Sequence, residues 1–381
     1  MKLRAVLFQI HLWTGLTLGI VLAVLGLSGA ILVFQDELLE MGAQPAPRAV
    51  TPGVMLPLDM LAAAAREKAP AKNSSMTLLL PQEKGDALLV RFQPSPSPGP
   101  QGGMDVYVDP VSARVLDVRQ TPYSSVVRTM HDLHGRLLVP GREGRQLVGW
   151  LGVAMLALGA SGIVIWWPKR GQWRAAFRIR PNARGYWLYR DIHGAFGIWG
   201  LAAFLIVSFS GVAIAFPETV RSIVTLGAQQ PAQPFDLRNG PPVEPVKGAK
   251  PLSLDGALRL AQAQMPDAQI QSITVQAKRN AAWRVTIGDP HDGLVAIAYV
   301  DPWQKKIAAM RNPSESRAGA FMAWQRPLHE GSGLGPLWRL LVFLSGLLPS
   351  LFVATGLVMW IKKRRARARI VPSAAAVGGN A

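Results

Sequence analysis

The chain has 381 residues, 49% of them hydrophobic and 17% charged, a balance too apolar for an ordinary water-soluble protein. It contains no cysteine, which excludes disulfides, iron–sulfur clusters, thiolate zinc sites and cysteine nucleophiles. The formal net charge of +18 points to nucleic acid only until it is partitioned along the chain.

Residues 1–34 carry the first apolar run, from about residue 6, interrupted by few polar side chains, among them Gln9, His11 and Ser28. It exceeds the roughly 20 residues that a helix needs to cross a bilayer. Lys2 and Arg4 precede it as they would in a signal peptide, yet the run is longer than a typical signal core of about 7–15 residues. A similar run recurs inside the chain, so a retained helix is expected. Residues 35–146 follow as an outer α+β module. A Pro-rich lead-in precedes a helix over 58–68, and strands are expected at 76–80, 87–92, 104–108 and 113–118, with a flexible hairpin tip at 94–103. The second apolar run covers 147–167, a basic connection covers 168–191, and the third run covers 192–216. A second outer module, 217–336, repeats the order with a helix over 254–264 and strands near 269–277, 281–288, 294–300 and 304–310. The fourth run covers 337–361, and a basic tail covers 362–381.

Lys2, Arg4, the connection 168–190 and the tail 362–369 hold 15 Lys and Arg and no acidic residue. Residues 35–146 hold 12 basic and 12 acidic side chains, and 217–335 hold 13 against 10. The excess therefore lies on one side of four helices. By the positive-inside rule both termini and the 168–191 connection are cytoplasmic, and the long connections lie outside, in the periplasm of a Gram-negative cell. The expected location is a bacterial inner membrane crossed several times, with lipid and not nucleic acid around the basic loops.

Sliding the first run onto the third by 182 positions puts His11 on His193, Gly15 on Gly197, Ser28 on Ser210, Gly29 on Gly211 and Phe34 on Phe216. Tyr107-Val108-Asp109-Pro110 matches Tyr299-Val300-Asp301-Pro302, and Leu58-Asp59 matches Leu254-Asp255. Each Asp-Pro is expected to turn a strand back. SGIVIWWPKR at the end of the second run matches TGLVMWIKKR at the end of the fourth. The unit of helix, α+β module and helix thus occurs twice in parallel, with a pseudo-twofold axis expected along the membrane normal.

With His in the first helix of each unit, a Leu-His pair before the second and a small-residue-Gly-x-x-x-Trp ending, the chain resembles the PepSY-associated transmembrane proteins. The resemblance runs from Leu7 to about Arg365, and within the family it is closest to the inner-membrane ferric-siderophore reductases. It implies a four-transmembrane-helix bundle with two periplasmic PepSY-like modules and two b-type haems. The implied activity is that of an oxidoreductase reducing ferric siderophore iron in the periplasm, with a hydroxamate siderophore as one suitable substrate.

A haem iron with two axial imidazoles needs histidines that face each other across the ring. His11 and His193, matched by the repeat, form the inner candidate pair, with Gly15 and Gly197 leaving room for a porphyrin edge. An interhelical hydrogen bond, or a proton or metal-ion path, is the alternative use. His134 in HDLHGRLLVPG and His329 in PLHEGSGLGPLW form the outer pair, with His131 as a propionate partner or as a ligand in place of His134. His291 reads as a solvated turn residue. An unbroken helix from His329 to Lys362 would be about 50 Å long, too long for closely spaced haems; the glycine- and proline-rich stretches 135–144 and 331–336 need not be helical, which permits the outer histidines to fold back over the bundle mouth. Tryptophans at helix ends read as interfacial anchors. Arg136, Arg142, Arg145, Arg326 and Arg339 are candidates for outer propionates, and Arg4, Arg184 and Arg190 for inner ones. No catalytic residue is assigned, because the redox chemistry would reside in haem and substrate. No Gly-x-Gly-x-x-Gly follows a strand, so the electron donor must be a quinol, a reduced flavin or another protein. The competing readings are a non-enzymatic PepSY protein that binds or regulates a periplasmic partner, and a small metal or proton transporter.

Overall fold

The structure, a computed structural model, describes residues 2–41, 44–49, 51–69, 74–94, 103–121, 124–225, 240–288 and 295–370. In chain order its elements are α1 (Lys2–Leu32), α2 (Gln35–Glu40), α3 (Leu58–Lys68), β1 (Ser74–Leu79), β2 (Leu88–Pro94), β3 (Met104–Val108) and β4 (Val115–Gln120). Then come α4 (Ser125–Arg136), α5 (Gly141–Trp166), α6 (Trp173–Ala176), α7 (Tyr186–Trp199), α8 (Leu201–Ala215) and α9 (Pro217–Val224). The last are α10 (Leu254–Gln262), β5 (Ile270–Val275), β6 (Trp283–Ile287), β7 (Ala296–Asp301), β8 (Lys306–Arg311), α11 (Arg317–Glu330) and α12 (Gly335–Ile370). They fall into two compact units. One joins Met1–Gln35, Arg128–Val220 and Gln325–Ala381; the other joins Asp36–Val127 and Arg221–Trp324.

In the helical unit α1, α5 and α12 are each long and apolar enough to cross a membrane. The third apolar run was expected to be one helix. It is instead the pair α7 and α8, bent by 65° at Gly200, which counts as a fourth span only when taken together. Sharp bends in apolar helices commonly sit at glycine, and here a β-carbon on Gly200 would come within 2.5 Å of Leu348 Cδ1 on α12. The matching residue of unbroken α1 is Leu18. Both α1 and the α7–α8 pair pack against α5 and α12, so they occupy opposite corners of the bundle. Glycines permit the closest crossing, for a β-carbon on Gly26 of α1 would overlap the Gly346 carbonyl of α12. Ile20, Leu27, Ile31, Leu340 and Leu344 are exposed on the outer faces, where lipid can cover them.

The second unit is built on a single antiparallel sheet of eight strands in the order β4-β3-β2-β1-β5-β6-β7-β8. Alternation places Leu78, Val90, Val106, Ile273, Val285 and Val300 on one face, where α3 and α10 cover them with Leu58, Leu61, Ala65, Leu254, Ala257 and Ala261. The two four-strand halves join through β1 and β5, paired from Met76↔Val275 to Leu79↔Ser272, with Thr77 and Thr274 hydroxyls 3.0 Å apart. Across this join each half caps the other's helix. The Asp255 carboxylate accepts from the Leu58 amide at 2.9 Å, and the Asp59 carboxylate accepts from the Leu254 amide at 3.0 Å. Asp109 and Asp301 serve as turn residues, each carboxylate accepting from two amides ahead of it, Val111 and Ser112 or Trp303 and Gln304. His291 and most of the expected hairpin tip at 94–103 lie outside the described residues.

Candidate functional site

Four histidines gather in the helical unit as two facing pairs. The rings of His11 (α1) and His193 (α7) have centroids 6.2 Å apart and planes at 71°. The rings of His134 (α4) and His329 (α11) have centroids 5.8 Å apart and planes at 40°. The outer histidines reach the bundle because their helices break just beyond them. Leu137 and Leu138 take left-handed φ values of 50° and 61° between α4 and α5, and Gly331 and Gly333 take 85° and 80° between α11 and α12. For leucine this conformation is strained, and its cost is repaid by the reversal it makes. α4 and α11 then double back, so the long continuous helix from His329 does not form.

Every one of the four rings is held by its Nδ1. His134 Nδ1 donates to the Leu25 carbonyl at 2.9 Å, and His329 Nδ1 donates to the Val207 carbonyl at 2.9 Å. A carbonyl only accepts, so both nitrogens carry the proton. His11 Nδ1 lies 2.9 Å from Ser161 Oγ, and His193 Nδ1 lies 2.8 Å from Thr355 Oγ1. Those hydroxyls spend their own protons on helix carbonyls, Ser161 on Leu158 and Thr355 on Leu351. Their oxygens therefore accept from Nδ1–H. All four histidines are thus fixed in one tautomer, with the lone pair on Nε2, and Nε2 makes no hydrogen bond among the described residues. A lone pair on a tautomer-locked imidazole is able to accept a hydrogen bond or to ligate a metal.

Glycines line each pair. A β-carbon on Gly29 would stand 2.7 Å from His134 Cε1, and one on Gly211 would stand 2.9 Å from His329 Cε1. Gly162 and Gly356 face His11 and His193 at 3.6 and 4.0 Å. Beside Gly15 an added β-carbon would meet nothing within 4 Å, and beside Gly197 only the Phe352 ring at 3.9 Å. Leu25 lies 14 residues beyond His11 on α1, about 21 Å along the helix, so the two pairs are separated by much of a hydrocarbon core about 30 Å thick.

His131 joins neither pair; its Nε2 bonds Gln35 Oε1 at 2.8 Å. Several arginines expected near bound carboxylates are already engaged. Arg326 pairs with Glu330 at 2.6 Å, Arg339 donates to the Val33 carbonyl at 2.7 Å, and Arg136 lies 3.9 Å from Asp132. Arg4 donates to the Ile165 and Trp167 carbonyls, and Arg190 stacks on Trp187 and lies 3.7 Å from Asp191. Arg142, Arg145 and Arg184 make no ion pair among the described residues. Trp13, Trp150, Trp167, Trp187 and Trp199 are all exposed, as interfacial anchors are. The residues that sequence reading did not assign are Ser161 and Thr355, although both stand in the matched Ser-Gly and Thr-Gly helix endings. Asp191, buried two residues before His193 and held by Arg180 at 2.7 Å, was likewise unassigned.

A family model described as the PepSY-associated TM region matches residues 8–363. An uncharacterized protein of Pseudomonas aeruginosa is 29% identical over 251 residues, covering 61% of this chain and 62% of that protein. The match thus spans about three-fifths of that relative's length.

Proposed function

Since the chain belongs to the family of proteins with the PepSY-associated transmembrane region, we propose that it is a dihaem b-type reductase of the bacterial inner membrane. In this reading His11 and His193 hold one haem iron and His134 and His329 the other, and electrons cross the membrane to reduce ferric siderophore iron in the periplasm. The two halves form a parallel repeat, the basic connection and tail are cytoplasmic, and the eight-stranded unit is periplasmic. The observation that carries the reading is the pair of facing imidazole sets, each with Nδ1 occupied and the Nε2 lone pair free.

The residues fit such a group. A metal–imidazole nitrogen bond is about 2 Å, as in zinc sites, and a ring centre lies roughly 1 Å behind its nitrogen, so two rings on one iron have centroids about 6 Å apart. The observed 6.2 and 5.8 Å agree with that spacing. The open space beside Gly15 and Gly197 supports room for a flat macrocycle at the inner pair. Bound haem supplies a reversible one-electron change at its iron, with a potential set by axial ligands and surroundings. The chain's own residues have the remaining tasks. Ser161, Thr355 and the carbonyls of Leu25 and Val207 aim the rings and raise their basicity. Apolar helices keep water from both pairs. Of the propionate candidates, Arg142, Arg145 and Arg184 make no ion pair among the described residues, which leaves them available for carboxylates.

The test is the absorbance spectrum of the detergent-purified protein. A Soret band with dithionite-induced α and β bands is expected, with about two haems per chain. His11→Ala or His193→Ala should remove one haem, His134→Ala or His329→Ala the other, and His131→Ala neither. A colourless protein that haem cannot reconstitute would sink the proposal and favour a binding role for the PepSY-like unit.

A further inference from the structure

Three arginines lie on or beside the second half of the sheet, and none meets a carboxylate among the described residues. Arg284 of β6 stands directly opposite Tyr299 of β7, and Arg311 of β8 stands directly opposite Ile297. Both point to the face away from α3 and α10, where Ile297, Tyr299, Ala309, Val243 and Trp303 form a small second core. Arg221 of α9 lies close enough for its charge to act on Arg311, whose guanidinium is held below its ordinary value first by burial and then by Arg221, against an opposing effect of Tyr299. All three side chains are half-buried. The Nε atoms of Arg221 and Arg284 are buried without a hydrogen-bond partner, and none of the three makes an ion pair among the described residues. Desolvated cations without partners are costly, and a fold keeps them where something else supplies the anion.

The first half of the sheet shows what is missing. There Arg119 stands opposite Asp105 and Tyr107 opposite Asp117. Arg91 forks onto Asp105 at 2.8 and 2.7 Å, and Arg119 bonds Asp117 at 2.6 Å. The same face is therefore internally neutralised. The second half pairs in the same register, Ile297↔Arg311 and Tyr299↔Ala309. Arginine and tyrosine recur, but the two carboxylate positions hold isoleucine and alanine, and Arg221 adds a further positive charge.

We infer that Arg221, Arg284 and Arg311 form a binding site for a multiply charged oxyanion, a ligand whose carboxylate or phosphate groups replace the aspartates present in the first half. Guanidinium forks bind such groups with two parallel hydrogen bonds, which gives both affinity and orientation. The site stands whether or not the histidine pairs carry haem. Its ligand is either a soluble polyanion, such as the carboxylates of a chelate, or the phosphate of an anionic lipid.

The full chain in phosphatidylcholine nanodiscs, titrated with citrate and with inorganic pyrophosphate, tests this by calorimetry and thermal unfolding. Saturable binding that raises Tm is expected, weakened at least about tenfold by Arg311→Gln, the value of one charge-assisted contact, and abolished in Arg284→Gln/Arg311→Gln. In anion-free buffer both variants should be at least as stable as the wild type, because each removes an uncompensated charge. Stabilisation by phosphatidylglycerol nanodiscs alone, lost in the double variant, identifies a lipid phosphate as the occupant. The inference is overturned if no anion binds or stabilises in either bilayer, or if the double variant responds like the wild type. It is also overturned if Arg311→Gln loses stability without anion, since the arginine would then have a partner inside the protein.

Discussion

Replacing Gly29 by alanine tests how tightly the outer pair is built. The new β-carbon would lie 2.7 Å from His134 Cε1 and 3.0 Å from its Nδ1. Restoring ordinary contact, which begins at 3.4 Å, pushes the ring away by about 0.7 Å, and a 2.9 Å bond to the Leu25 carbonyl stretched that far is no longer a hydrogen bond. The lost bond costs about 0.5–1.5 kcal/mol and the overpacking about 1–3 kcal/mol. Together they weaken the outer site by about 2–4 kcal/mol, or roughly thirtyfold to several-hundredfold in cofactor affinity. Purified Gly29→Ala should therefore hold about half the wild-type haem by the pyridine haemochrome assay, with the band of the inner pair unchanged. That retained band doubles as proof of folding. Two haems with wild-type spectra and potentials in Gly29→Ala would refute the reasoning, because His134 could then move without consequence.

Ser161→Ala and Thr355→Val each remove the acceptor that fixes an inner histidine; both haems should remain, with the inner one bound about 10–100-fold more weakly, as haem-transfer competition would show, and with unchanged affinity counting against the orienting role. Asp59→Ala and Asp255→Ala each remove the carboxylate that accepts an amide at the N-terminus of the other half's helix, and denaturant titration should show each costing about 1 kcal/mol, with no loss of haem. The Asp109 carboxyl is pushed up by burial, but bonds from the Thr51 hydroxyl and the Ser112 and Val111 amides outweigh this and hold it down at about 2, against an ordinary 3.8. Its folded-state value is depressed, so its stabilisation is present in full above pH 3.8 and is lost as the pH falls toward 2. Stability of the wild type should accordingly fall more steeply below pH 4 than that of Asp109→Asn, and parallel acid profiles would contradict the assignment.

The histidine pairs were legible because repeated side chains survive in the sequence: His11 and His193 match under a 182-residue shift, and His134 and His329 stand in similar Leu-His stretches before the second helix of each half. The main groups that aim the outer rings, the carbonyls of Leu25 and Val207, were not legible because any residue supplies a carbonyl, and Ser210, whose Oγ lies 3.2 Å from His329 Nδ1, showed only as the repeat partner of Ser28. Ser161 and Thr355 stand in matched helix endings, but their role depends on hydroxyl protons donated to Leu158 and Leu351, which a sequence does not show. The 65° bend at Gly200 was hidden because glycine is ordinary in apolar helices and most of those in this bundle stay straight. Within the sheet, alternation located the strands. The union of β1 with β5 was out of reach, because it depends on which edges meet in space, and the repeated Leu-Asp dipeptides gave no sign that each aspartate serves the opposite helix.

That union bears on how the molecule is made. The amide of Leu58 waits for a carboxylate 197 residues later in the chain, and β1 waits for β5 across a similar interval. A chain emerging N-terminus first therefore presents its first four strands with a bare edge at β1, the kind of edge that invites pairing with other chains. It also presents α3 with an unfilled N-terminus. Contacts this distant in sequence are slow to close. The half-sheet synthesised first is therefore completed only together with the half-sheet synthesised second, after two more apolar segments have been made.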